Sequence, residues 1–205
     1  MSGLTGTKES IFDTFVEMTS KLGYENVSMR DIADKVGIKV ASIYNHFETK
    51  GNILEQAYDY YTQNQYNNRK PSDEMKKLIE TANAEEIVNA FSYTFVTEDQ
   101  KKYVRMILIT KIIYMRLFQD PRANAIFAEA YKNNTEYVLD ILKHGININR
   151  IENSFDSETF AYVLIGSYHI MGIKAFADSA YSVGQLEQQT RIISLLACLL
   201  SAALK

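Results

Sequence analysis

One cysteine, two prolines, three histidines and nine glycines in 205 residues leave several common chemistries with little to work on. The single Cys198 can form no intrachain disulfide and lies in an apolar stretch, so a cytoplasmic location is expected. His46, His144 and His169 are far apart and lack the spacing of a metal-ligand motif. Cys198 has no histidine near it in sequence and reads as a small core hydrophobe. No glycine-rich phosphate loop occurs, and Gly37-Ile38-Lys39 is not one. These gaps argue against an enzyme, and neither a metal nor another cofactor is expected. No apolar run reaches the roughly 18 residues of a bilayer span. The longest, Ile192 to Leu204, is broken by Ser194 and Ser201. Met1 to Ser10 lacks the apolar segment of a secretory signal, so no membrane partner is expected.

An excess of positive charge is missing too. The net charge is −3, and residues 1–60 hold six Lys or Arg against nine Asp or Glu. That disfavours a protein that coats nucleic acid non-specifically. Between positions 35 and 50, however, Lys35, Lys39 and Lys50 face only Glu48. A small basic edge of this kind suits a site-specific binder that makes few phosphate contacts.

What the chain has is helical periodicity. Period-2 alternation is nearly absent, so the fold is predicted to be all-α, and the 46% hydrophobic share is ordinary for a globular protein. A first helix is expected from about Thr7 to Leu22, ended by Gly23. Ser28 caps a second, Gly37 makes a sharp turn, and Val40 to Phe47 forms a third. Thr49 caps a fourth helix that runs from Lys50 to about Tyr66. The stretch from Asn64 to Ser72, closed by Pro71, reads as a break between regions. Further helices are expected at 73–81, at 83–97 with capping-box spacing of Asn83 and Glu86, and at 99–119. Three more are expected, from Pro121 to about Lys143 before Gly145, then at 157–180 and 183–204. The chain divides on this reading into residues 1–50 and a larger helical region, 51–205.

Residues 28–50 are the most informative. Ile32, Val36, Ile38, Ile43 and Phe47 fall on inward positions, with small Ala33 where two helices would cross. A short amphipathic helix, a tight turn and a second short helix is the plan of a helix-turn-helix that lays its second helix in a DNA major groove. Ile43 and Phe47 are four apart and face inward, which leaves Val40, Ala41, Ser42, Tyr44, Asn45 and His46 on outward or flanking positions. A small Ala41 and Ser42 allow close approach to base edges, and Asn45 has the donor–acceptor pair that reads adenine. Ser28 and Lys50 sit at helix N-termini, which favour phosphate, although Ser28 is equally explained as a cap.

At this point the residues resemble the TetR (tetracycline-repressor-like) family of bacterial one-component regulators. The likeness rests on Ile11 and Phe15, Gly23-Tyr24, Val27-Ser28, Ile32-Ala33, Val36-Gly37-Ile38, Ile43-Tyr44-Asn45-His46-Phe47, Lys50 and Leu54. It covers about residues 8–58. The resemblance implies a DNA-binding regulator, by default a repressor, whose Tyr44 and His46 face the DNA backbone; Lys39 is a further candidate phosphate contact beside Ser28 and Lys50, with a solvated turn residue as its competing account. It also implies a homodimer through the last two helices on a pseudo-palindromic double-stranded operator, released by a small-molecule effector. The fourth helix is the natural lever.

The later helices fit that expectation. Val163, Leu164, Tyr168, Met171 and Ala175 mark one apolar stripe, and Ala161, Ile165, Gly172 and Phe176 another. Ile192 to Leu204 is apolar nearly all round. Many amphipathic aromatics populate the middle helices, and a pocket for a small apolar or aromatic effector is expected at Tyr93, Tyr114, Tyr168 and His169. Ordinary core packing is the competing account of each. A TetR-like DNA-binding protein without an effector, serving architecture or cell division, is the alternative for the whole chain.

Overall fold

The computed structural model describes residues 5–65, 70–92, 99–177 and 183–205. It is all-α: no strand occurs among these residues beyond an isolated bridge between Ile151 and Leu204. The helices are α1 (Gly6–Leu22), α2 (Met29–Val36), α3 (Val40–Tyr44), α4 (Lys50–Asn64) and α5 (Ser72–Thr81). They continue as α6 (Ala84–Ser92), α7 (Gln100–Arg116), α8 (Pro121–Asn147), α9 (Ser157–Ala177) and α10 (Val183–Ser201), with a 3-10 turn at Tyr24–Asn26.

Two compact units emerge from the packing. The first comprises Met1–Asn67 with Thr97–Phe127, and the second Asn68–Val96 with Ala128–Lys205. In the first, Ile11, Phe12 and Phe15 of α1 meet Ile32 and Ala33 of α2, Ile43 of α3, Ile53, Ala57 and Tyr58 of α4, and Ile109 and Ile112 of α7. Arg105 of α7, 8% exposed, is held through Nε and Nη2 by both carboxylate oxygens of Asp13, at 2.8 and 2.9 Å, with Glu9 at 2.9 Å from Nη2. Burial opposes the guanidinium charge, but these carboxylates outweigh it and hold the group protonated.

The second unit closes over Met75, Ile79, Ile87, Val88, Ile141, Leu142, Ile151, Leu164 and Leu200. The Glu152 amide donates to the Ala203 carbonyl at 2.8 Å and the Lys205 amide to the Arg150 carbonyl at 3.0 Å, pinning the last residues beside the α8–α9 connection. The expected Asn83/Glu86 capping box is present, with both reciprocal bonds at 3.0 Å.

Several helix ends differ from expectation, each for a local reason. The third helix stops at Tyr44, three residues early, because the His46 and Phe47 amides both turn onto the Ile43 carbonyl. The helix expected to reach 119 stops at Arg116, whose carbonyl takes the amides of both Gln119 and Asp120. Gly145 does not end α8, which runs on to Asn147. Its role is steric: a Cβ there would lie 2.7 Å from Ile151 Cδ1 and 3.1 Å from Ile79 Cδ1. On α9 the apolar stripes divide differently from the sequence reading. Ala161, Leu164 and Ile165 are buried, whereas Val163 is exposed with Tyr162, Ile170 and Ile173. The side chains of Ala175 and Phe176 lie outside the described residues.

Gly145→Ala is expected to destabilise the chain by about 1–3 kcal/mol through overpacking, despite alanine's roughly 1 kcal/mol advantage in a helix. Urea unfolding measures it, and a more stable variant would show that Ile151 and Ile79 can give way.

Candidate nucleic-acid interface

The segment from Ser28 to Lys50 builds one outward surface on two buried anchors. Ser28 caps α2 in a reciprocal box: the Asp31 amide donates to Ser28 Oγ at 3.2 Å, and the Ser28 amide donates to Asp31 Oδ2 at 2.8 Å. The Ser28 hydroxyl also donates to Asp31 Oδ2, at 2.6 Å. Both donors of Ser28 are therefore taken by one carboxylate. Gly37 then adopts a left-handed conformation, φ 79° and ψ 32°, that a Cβ would strain. The Gly37 and Ile38 amides both reach the Ala33 carbonyl, at 2.9 and 3.0 Å, and turn the chain sharply into α3.

Within α3 and the turn after it, Ile43 and Phe47 are buried in the first unit's core. Ala41, Tyr44, Asn45 and His46 are exposed, and Val40 and Ser42 are half-buried on the flank. Tyr44 is 53% exposed, so its ring is not a core ring. Lys39 stands exposed at the N-cap of α3 and makes no ion pair with any described residue. Thr49 caps α4 in a second box with Asn52, its hydroxyl accepting from the Asn52 amide at 3.1 Å.

The basic edge is narrower than the three lysines suggested. Lys35 is paired with Glu17 at 3.0 Å, and Lys50 Nζ donates to the backbone carbonyls of Tyr24 and Val27, at 2.7 and 2.8 Å. The structure thus gathers Lys39, Val40, Ala41, Ser42, Tyr44, Asn45 and His46 on one stretch, and turns the side-chain donors of Ser28 and Lys50 to internal partners. Tyr24 and Arg116, which no local motif marks as a pair, meet here: Arg116 Cζ lies 4.3 Å from the Tyr24 ring centre.

Residues 11–57, which span this whole construction, match the model of the bacterial regulatory proteins of the tetR family. Over this segment the chain is similar to the tetR family. It is 30% identical over 104 residues to the biofilm operon icaADBC HTH-type negative transcriptional regulator IcaR of Staphylococcus aureus, a match covering 48% of this chain and 50% of that protein. It is 23% identical over 120 residues to IcaR of Staphylococcus epidermidis, covering 57% and 56%. The chain spans about half the length of these curated relatives. Among solved structures it is similar in fold to the ketosteroid transcriptional regulator KstR2 of Mycobacterium tuberculosis. That likeness has a TM-score of 0.62 at 19% identity over 99% of this chain and 97% of that one. It is also similar to a putative transcriptional regulator of Saccharomonospora viridis in complex with choline, with a TM-score of 0.60 at 18% identity and 92% of each chain covered.

The candidate effector residues fall in different places. Tyr93 lies outside the described residues. Tyr114 belongs to the first unit, in edge contact with Phe127 at 5.7 Å, and burial pushes its phenol up to about 12. Tyr168 and His169 belong to the second. The Tyr168 hydroxyl donates to the Val88 carbonyl at 3.3 Å, and the His169 ring stacks on Tyr131 at 5.4 Å. Burial lowers the His169 pKa, which keeps its imidazole neutral near pH 7. An open apolar groove of about 400 Å³ runs past Phe155, Phe160, Val163, Leu196 and Leu199 in the second unit. A polar cleft of about 680 Å³ lies by Lys8, Gln56, Tyr60 and Lys101 in the first. Neither is lined by Tyr114, Tyr168 or His169. No cluster of metal-ligating side chains and no helix long and apolar enough to cross a membrane occurs among the described residues.

Ser28→Ala is expected to cost about 1 kcal/mol of stability by removing the α2 cap. The hydrogen bonds from the Ser28 hydroxyl and amide hold the Asp31 carboxyl below its ordinary 3.8. The stability this carboxylate contributes is therefore complete above pH 3.8 and is lost as pH falls through the lowered value. Acid unfolding of Ser28→Ala should show less of that loss, and identical acid limbs for the two proteins would count against the capping box.

Proposed function

We propose that this chain is a sequence-specific DNA-binding transcriptional repressor that works as a homodimer and answers to a small-molecule effector. The observation that carries the DNA-binding reading is α3 with the turn after it, where Ile43 and Phe47 are buried while Ala41, Tyr44, Asn45 and His46 project outward. On a major groove, the Ala41 methyl suits a thymine methyl, Ser42 serves any base, and Asn45 pairs with adenine N6 and N7. Tyr44, His46 and Lys39 are placed at the flanks for phosphates. The relatives named negative regulators support the repressing sign.

Dimerisation is supported by the second unit's outer face. Tyr162, Val163, Ile170 and Ile173 of α9 and Leu195 and Leu199 of α10 are exposed, with Ile170 66% and Leu195 61% accessible. Ile170 and Ile173 are three apart and Leu195 and Leu199 four apart, so each pair makes an apolar ridge of the kind that packs into a four-helix bundle with a second copy. A two-fold dimer reads a pseudo-palindrome whose half-sites lie about 34 Å, one helical turn, apart. For the effector, Tyr168 and His169 are candidates in the second unit and Tyr114 a separate one in the first, and the Tyr162–Tyr131–His169 stack suits a flat apolar or aromatic molecule. Tight effector binding must weaken operator binding by the same factor that the operator weakens effector binding.

The experiment is selection of bound duplexes from random DNA, followed by affinity measurements on the enriched site. Asn45→Ala is expected to cost about 1–3 kcal/mol and to relax preference at one base position. Leu195→Glu with Leu199→Glu is expected to sediment as a monomer at micromolar concentration and to lose the paired half-site preference. No enriched sequence from the wild type, or an unaltered dimer from the double variant, would overturn the corresponding part.

A further inference from the structure

The geometry points to Lys50 as a positioning residue for DNA recognition, which clamps the turn leading into α2 through Tyr24 instead of lending its charge to a phosphate. The inference rests on the DNA-binding reading above, and it concerns what sets the pose of α2 and α3.

Lys50 is the first residue of α4, where the positive end of the helix dipole makes a cation unwelcome. Its half-buried side chain is held there by other groups. Nζ donates to the carbonyls of Tyr24 and Val27, 26 and 23 residues earlier in the chain, and lies 4.0 Å from the centre of the Tyr24 ring. An ammonium has three N–H donors; two end on carbonyls and the ring's negative face attracts the charge. A phosphate contact through either of these two donors would have to break its carbonyl bond first.

The same ring receives a second cation. Arg116, at the end of α7, places Cζ 4.3 Å from the Tyr24 centre while its other contacts are Asp120 at 3.1 Å and Glu25 at 3.4 Å. Asp120 in turn accepts the Tyr58 hydroxyl at 2.9 Å. Phe15 meets the Tyr24 ring edge-on at 6.3 Å and fixes its plane. Tyr24 therefore ties the first turn of α4 and the last turn of α7 to the 3-10 turn at residues 24–26. Val27, whose carbonyl Lys50 holds, is buried and directly precedes the Ser28 cap. The start of α2, and with it the turn into α3, takes its position from this clasp. DNA affinity then depends on Tyr24 and Arg116 as much as on Lys50.

The test uses the full chain and the duplex enriched from random DNA, with Lys50→Met, Tyr24→Leu, Tyr24→Phe, Arg116→Met and Lys39→Met. Affinity is measured against salt concentration. Each phosphate contact contributes about 0.9 to the log–log slope. Lys39→Met is expected to lower the slope by about that amount. Lys50→Met, Tyr24→Leu and Arg116→Met should each weaken binding about tenfold with the slope unchanged, Tyr24→Phe should restore it, and Lys50→Met with Tyr24→Leu should lose no more than either alone. A slope lowered by about 0.9 in Lys50→Met, with Tyr24→Leu at full affinity, overturns the proposal. Amide exchange of the segment 24–32 in the DNA-free protein gives an independent readout. It should quicken at least tenfold in Lys50→Met and Tyr24→Leu and stay unchanged in Lys39→Met; unchanged exchange in all three overturns the clasp. If the wild type enriches no sequence, the DNA-binding reading fails, and exchange alone decides whether the clasp exists.

Discussion

Insertion of Ile43 and Phe47 into the first unit's core is the contact on which the outward surface depends. Five residues are too few for an independently stable helix, because nucleation costs more than one turn of hydrogen bonds returns. α3 is helical because two side chains four positions apart are buried beside α1, α2 and α4. Each residue between and beyond them is then aimed by those two anchors. The left-handed Gly37 and the shared Ala33 carbonyl determine where the segment starts, and the double use of the Ile43 carbonyl determines where it stops.

Charge in the first unit is spent mainly on holding helices together. Arg105 joins α7 to α1 through Asp13 and Glu9, Lys101 adds a second cation to the same carboxylates, and Arg116 serves both Asp120 and Glu25. A buried guanidinium with several acceptors tolerates few alternative arrangements, so pairs of this kind fix register more than they add stability. Lys35 and Lys50 are thereby held by internal partners, whereas Lys39 beside α3 makes no ion pair with any described residue.

The helix-turn-helix was legible because its signals are local. A capping serine with an acid three residues on, a glycine at a left-handed turn and an apolar pair at four-residue spacing all lie within about twenty letters. The same holds for Thr49 and for the Asn83/Glu86 box. What escaped the letters depends on contacts between distant segments. Gly145 looked like a helix terminator, and only its approach to Ile151 and Ile79 reveals a packing glycine inside α8. Val163 looked like a partner of Leu164 on one stripe, whereas the helix rotates Leu164 inward and Val163 out. A helix N-terminus marks Lys50 as a candidate phosphate contact, and no local signal shows the Tyr24 and Val27 carbonyls that its Nζ meets, because they are more than twenty residues away.

Under the proposed function, a chain of net charge −3 would obtain operator affinity otherwise than by blanket attraction to phosphate. On the proposed reading, each copy brings a few base contacts, Lys39 and a pair of flanking side chains, too little for tight binding alone. Joining two copies makes the second half-site encounter intramolecular, at an effective concentration set by the dimer's rigidity. The apolar ridges of α9 and α10 would then matter to DNA binding as much as α3 does, although they contribute no contact to it. Under that proposal regulation would be economical: a ligand need not touch the DNA-facing surface, only favour a dimer whose half-site spacing no longer matches one turn of the duplex.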